Sequence, residues 1–223
     1  MSIADNLRVV RERIARAAER AGRRPEGVTL VAVTKTVPPE RIREAFDAGQ
    51  RHFGENRLQE AQAKMPLLAD LRPQITWHMV GHLQTNKVRA CLEAFDIIES
   101  VDSLHLGQAI EARARAPAPV LLEVNVAGET TKFGFRPEEV AVACETLRRC
   151  SNLQVRGLMT VAPMAADPNE ARPVFRRLRE LAQALGLREL SMGMTADFEA
   201  AVEEGATIVR IGTAIFGARP SWA

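Results

Sequence analysis

Lys35 stands where a chain rarely leaves a charge. The run VTLVAV (28–33) is apolar enough for a buried strand, and after Thr34 it delivers a lysine followed by Pro38 and Pro39. A cation beside a core is costly unless something uses it. Two roles suit this one. It is either a solvated strand-end lysine or a partly desolvated amine, whose neutral form burial favours and which then attacks an aldehyde or ketone to form a Schiff base. LSMGMT (190–195) and RIGTAIFG (210–217) bear on that choice, because both place small residues and hydroxyls where an apolar run gives way to a helix. Glycine lets backbone approach an anion closely, helix-start N–H groups point at it, and Ser or Thr adds donors. Gly193 or Gly212 alone suits a tight turn equally well; both loops together with Lys35 describe a site for a phosphorylated aldehyde. Arg210, embedded in TIVRIG, needs a partner for its guanidinium. The ring nitrogen of an aromatic aldehyde and a carboxylate such as Glu123 answer that need equally.

Such residues have to be carried to one place, and the apolar runs indicate how. After an opening helix near residues 3–21, strands are expected at VTLVAV, RHFG, WHMVG, DIIES, VLLEVNV, LQVRGLM, ELSMG and TIVRIG. Between them lie helix patterns: PPERIREAFDAG starts with proline and ends with glycine, and RPVFRRLRELAQALG has apolar residues at helical spacing. Eight βα repeats predict a closed (β/α)8 TIM barrel, with an open doubly wound sheet as the alternative. In such a barrel ligands bind at the C-terminal ends of the strands, where Lys35 and the two glycine loops would lie. No linker-like stretch splits the series, so residues 1–223 are expected to form a single domain.

Composition narrows the function. With 46% hydrophobic and 26% charged residues the chain is globular rather than disordered, and a net charge of +2 with interspersed signs offers no basic face for nucleic acid. The N-terminal segment lacks the apolar run of a signal peptide or membrane span, so a cytoplasmic protein with no membrane partner is expected. Cys91, Cys144 and Cys150 lack metal-ligand spacing and suit inert thiols in helices. His78 and His82 would not share a face on a strand and its loop, which argues against a metal pair. Core packing suits His78 and a rim hydrogen bond suits His82. Asp197 suits a favourable charge in the first turn of its helix.

The motifs VAVTKT, FGENRLQEAQAK, WHMVGHLQTNK, VNVAGETTKFGF, RGLMTV, LSMGMTADFEAAV and VRIGTAIFGAR together resemble the YggS/PROSC family of pyridoxal 5′-phosphate (PLP) binding proteins. The resemblance runs from the N-terminal helix to Arg219, and the family fold is similar to the N-terminal barrel of alanine racemase. It implies Lys35 as the Schiff-base lysine, Arg210 as the partner of the pyridine nitrogen, and Ser191, Gly212 and Thr213 as phosphate ligands. Asn56, Met192 and Ile211 are implied near the cofactor. It also implies a role in PLP homeostasis and delivery to PLP-dependent apoenzymes, and a monomer. Thr195 stands where many members carry Ser, keeping a hydroxyl able to cap the next helix, and Arg57 stands where some carry Tyr. Lys132 is a surface lysine by its sequence context, and the resemblance gives it a secondary part in PLP handover.

A racemase-like enzyme and a Schiff-base aldolase are the alternatives to a carrier. Alanine racemase-like enzymes oppose a lysine to a tyrosine and complete the site with a second domain, whereas this chain has no tyrosine and stops at GARPSWA. An aldolase would need a carboxylate or tyrosine facing Lys35, and none is identifiable from the sequence. Arginine cannot take a proton from a pyridine nitrogen, so Arg210 weakens the electron sink that amino-acid chemistry needs. The sequence therefore points to a non-catalytic carrier.

Overall fold

The computed structural model describes residues 1–164 and 166–218; Arg219 and the rest of the GARPSWA end after Ala218 lie outside the described residues. Helix α1 (Ile3–Arg20) opens on a capping box, in which the Ser2 side chain accepts from the Asp5 N–H and the Asp5 carboxylate from the Ser2 backbone. Its Ile3, Leu7, Val10, Ile14 and Ala17 fall at helical spacing and are all buried.

The strands that follow are β1 (Thr29–Val33), β2 (His52–Glu55), β3 (Thr76–Met79), β4 (Ile97–Val101), β5 (Ala118–Glu123), β6 (Leu153–Met159), β7 (Glu189–Ser191) and β8 (Ile208–Ile211). They pair in sequence order and in parallel, and β8 closes onto β1 with Thr29 opposite Ile208 and Ala32 opposite Ile211. The closed barrel is thus the fold the apolar repeats predict, and even RHFG contributes a strand. Several expected strands end early: WHMVG stops at Met79, ELSMG at Ser191, TIVRIG at Ile211 and VLLEVNV at Glu123. After the Val124 N–H, which still donates to the Met159 carbonyl, VLLEVNV leaves the ladder, because Asn125 N–H donates to the Phe135 carbonyl and Phe135 N–H to the Glu123 carbonyl, tying the chain into its own loop.

Helices α2 (Pro39–Asp47), α3 (Leu58–Lys64), α4 (Val88–Ala94), α5 (Leu104–Glu111), α6 (Val140–Arg148), α7 (Arg172–Ala184), α8 (Phe198–Glu203) and α9 (Thr213–Phe216) follow the strands in turn. At one turn, α9 is too short to cover the seam where β8 meets β1. Helix α1 fills that place by packing against α2, α8 and α9. Asn6 Nδ2 donates to the Ile215 carbonyl at 2.8 Å, and Arg23 donates to the carbonyls of Val202 and Ala206. The main core lies between barrel and helices. A separate small cluster of Val31, Leu121, Met159 and Ile208 packs apart from it. Among the described residues no helix is long and apolar enough to cross a membrane.

Candidate ligand site at the barrel mouth

A cavity of about 1040 Å³ opens where β1 and β8 deliver their last residues, and Lys35, Asn56, Arg210, Gly212 and Thr213 all line it. Five of the eight residues that the resemblance implies at the cofactor are therefore brought together. Ser191, Met192 and Ile211 are fully buried and do not line it. Thr195, read in the sequence only as a helix cap, does line it, and its hydroxyl accepts weakly from the Ala214 N–H at 3.5 Å. The signal that could have found it is the hydroxyl two residues after Gly193, facing the Gly212–Thr213 loop across the β7–β8 seam.

Two glycines make this mouth possible. Gly193 has φ of 93°, and a Cβ there would lie 2.5 Å from the Ala201 Cβ; a side chain would push α8 off the loop. At Gly81 a Cβ would meet the Asn56 carbonyl oxygen at 2.2 Å. Glycine there lets the β2–α3 connection carry Asn56 to the rim.

Arg210 is held by a chain of donors. Its Nη1 donates to Ser191 Oγ at 2.5 Å and its Nη2 to the Thr160 carbonyl at 2.8 Å. Ser191 Oγ donates to Glu99 Oε2 at 2.5 Å, while Glu99 Oε1 lies 2.6 Å from His78 Nδ1, and His78 Nε2 lies 3.0 Å from His52 Nδ1. An ionised carboxylate only accepts, so His78 donates through Nδ1, and which ring donates in the His78 Nε2–His52 Nδ1 contact follows from the tautomer. Burial alone would push the Glu99 carboxyl up. The hydrogen bond and charge of His78, with Arg210 and Ser191, outweigh it and hold Glu99 below the ordinary glutamate range. The carboxylate within ion-pair reach of Arg210 is thus Glu99, at 3.9 Å, rather than Glu123. His78 is also more than core packing, since both its ring nitrogens are engaged. No sequence signal pairs Ser191 with Glu99, because they meet only when the barrel closes.

His82 makes its rim bond, with Nδ1 2.8 Å from Asp102 Oδ2. Asp197 directs its carboxylate not to the helix it precedes but back to the Met194 N–H at 2.6 Å, fixing the loop after β7. Burial raises its pKa against that bond. Lys132 lines the cavity as well, donating to the carbonyls of Val161 and Ala162 at 3.3 Å.

The fold and the placement of the cavity define a class. The family model for the alanine racemase N-terminal domain matches residues 5–220, and the chain belongs to that family. Within it, the chain belongs with the proteins named pyridoxal phosphate homeostasis protein. It is 47% identical to the one from Pseudomonas aeruginosa, covering 98% of this chain and 96% of the relative, and 46% identical to the one from Aquifex aeolicus, covering 98% and 99%. The solved structure of PipY from Synechococcus elongatus with PLP bound superposes with a TM-score of 0.85 at 40% identity, covering 97% of this chain and all of that one.

Proposed function

We propose that this protein binds PLP through Lys35, keeps it without turning over amino acids, and releases it to apoenzymes, acting as a cytoplasmic, single-domain monomer. The observation that carries this reading is the single cavity that gathers Lys35, Arg210, Gly212 and Thr213 at the C-terminal ends of β1 and β8. The chemistry of the donor set fits the cofactor. The side-chain oxygen Oδ1 of Asn56 is buried and has no hydrogen-bond partner among the described residues, and a polar ligand would satisfy it. Gly212 packs so closely on β1 that a Cβ would lie 3.2 Å from the Val33 carbonyl oxygen, keeping that corner of the cradle open.

When bound, PLP supplies an aldehyde that condenses with a neutral amine. Lys35 provides that amine at the strand end. Thr213, the backbone around Gly212, and Thr195 take the phosphate. Arg210 presents a permanent charge toward the pyridine nitrogen and, being unable to accept a proton, leaves the ring a poor electron sink. Ser191 has a different task in this reading, because its hydroxyl already joins Arg210 to Glu99; it holds the arginine, while Met192 and Ile211 form the buried backbone beneath the ligand.

Turnover would require an acid/base group opposite Lys35. Of the other ionisable groups at the cavity, Asp197 is engaged by the Met194 N–H, Lys132 by two carbonyls and by the Glu129 carboxylate at 2.5 Å, and Arg41 cannot act as a base, while the chain has no tyrosine. The test is to incubate the PLP-loaded protein with each common amino acid in deuterated water and follow the α-proton by NMR, then add a PLP-dependent apoenzyme. No catalytic exchange and recovery of apoenzyme activity are expected. Exchange at the rate of an ordinary PLP enzyme would replace the carrier reading with a racemase-like one.

A further inference from the structure

The backbone on both sides of Lys35 is gripped by a charged, partly buried cluster on β2 and α3. Lys64, the last residue of α3, points its ammonium into the β1 turn and donates to the Thr34 carbonyl at 2.7 Å, to Glu55 Oε1 at 2.8 Å and to Glu60 Oε2 at 3.3 Å. An ammonium has three protons, and all three are used. The same carboxylates reach the strand end directly: Thr34 Oγ1 donates to Glu55 Oε1 at 2.7 Å, and the Thr36 N–H donates to Glu60 Oε2 at 2.9 Å. Lys35 is the one residue between these two anchored neighbours.

The cluster is an unusual use of charge. The side chain of Glu55 is fully buried and that of Lys64 only 12% exposed. Such an arrangement is seldom worth its desolvation for stability alone, since apolar packing of the same volume does as well. The backbone it holds is also unusual. Thr36 has φ of 62°, the only non-glycine residue with positive φ among those described. A β-branched residue keeps that conformation only where its surroundings over-determine it, and strain of this kind collects at functional sites.

We propose that Lys64, with Glu55 and Glu60, is a positioning device for Lys35: by pinning Thr34 and Thr36 it fixes the direction in which the Lys35 side chain leaves the strand. The proposal rests on the reading of Lys35 as the residue that condenses with PLP. That condensation forms one C=N bond and releases one water carrying the carbonyl oxygen, and its yield depends on how the amine is aimed. In that reading the phosphate would be held by Gly212, Thr213 and Thr195 and the ring nitrogen would face Arg210, all on the β7 and β8 side and apart from the clamp.

Two ligands separate these effects: PLP itself, and 4′-deoxypyridoxine 5′-phosphate, which carries the same ring and phosphate but a methyl group in place of the aldehyde. In the full-length protein, Lys64→Met is expected to weaken PLP and slow the appearance of its visible band by about tenfold, the scale set by small misplacements of a reacting group, while leaving the affinity for the deoxy analogue within about twofold. Lys64→Arg should recover part of the loss. If Lys64→Met does not fold, Glu60→Ala removes only the Thr36 acceptor and one contact of Lys64, and a loss of about threefold confined to PLP is expected on the same reasoning. Parallel weakening of both ligands, or of neither, would overturn the positioning role. Borohydride reduction of the unmodified PLP complex followed by peptide mapping tells the two readings apart. Label on Lys35 with unselective losses in the variants removes only the clamp proposal, whereas label elsewhere removes both.

Discussion

On the β8 side of the cavity the buried Arg210 donates a hydrogen bond to no carboxylate; a hydroxyl and a carbonyl hold it, and Glu99 lies 3.9 Å away, joined to it through Ser191. On the β1 side Lys64 is held by two carboxylates and a carbonyl. The difference separates two uses of a buried cation. Neutral oxygens fix the geometry of Arg210 while its charge stays directed at the cavity it lines, and the carboxylate that balances it lies one side chain away. The charge of Lys64 is consumed within the protein, and what it delivers is backbone shape. Burial lowers the pKa of Arg210, opposed first by Glu99, and an arginine stays protonated regardless.

The sharpest way to break this contrast is to remove the balancing charge. Glu99→Gln leaves a donor facing either His78 or Ser191 and strips Arg210 of its counter-ion, so a stability loss of about 3–5 kcal/mol is expected, the usual cost of unpairing a buried ion. Urea unfolding measures it. A loss below about 1 kcal/mol would mean that the Ser191 and Thr160 oxygens suffice by themselves.

Next in size is the phosphate side. Thr213→Val should weaken PLP by about 1–3 kcal/mol and pyridoxal by far less, because only PLP has a phosphate to accept the hydroxyl's hydrogen bond. Equal weakening of the two ligands would take Thr213 out of the phosphate cradle.

The smallest effect concerns Glu123, whose carboxyl burial pushes up to about 7, with the charge of Asp102 adding to the shift and Arg210 opposing it. The folded protein thus keeps a proton that the unfolded chain releases near the ordinary value of 4.5. Stability from this group is complete below that value and is lost as pH rises through about 7. Glu123→Gln imitates the protonated carboxyl, so relative to the unmodified protein it should gain about 1 kcal/mol between pH 5 and pH 8, a figure kept small because the side chain is partly exposed. Urea unfolding of the ligand-free proteins at the two pH values reads this, and an unchanged difference would place the Glu123 ionisation in the ordinary carboxylate range.

The barrel was legible because every strand but β2, with its single large apolar residue Phe53, is a short apolar run ended by a glycine, a charge or a hydroxyl. Lys35, Arg210, Gly212 and Thr213 were legible for a related reason: each lies in or just beyond such a run, where a barrel places its ligands. What could not be read depends on closure or on surroundings. Ser191 and Glu99 are 92 positions apart and meet across the barrel interior. Glu60 and Lys64 have the spacing of a solvated i,i+4 pair, and nothing local says that their helix turns them toward the strand end. The seat of α1 over the β8–β1 seam follows from the shortness of α9, a boundary that patterning does not fix.

The central claim is that Lys35 forms the covalent link to PLP. Lys35→Ala, loaded with PLP under the same conditions as the unmodified protein, tests it by the visible absorbance band, with far-ultraviolet circular dichroism recorded on both. Loss of the band with an unchanged dichroism spectrum is expected. A retained band would contradict it and move the linkage to another lysine, with Lys132 and Lys87 the first to examine.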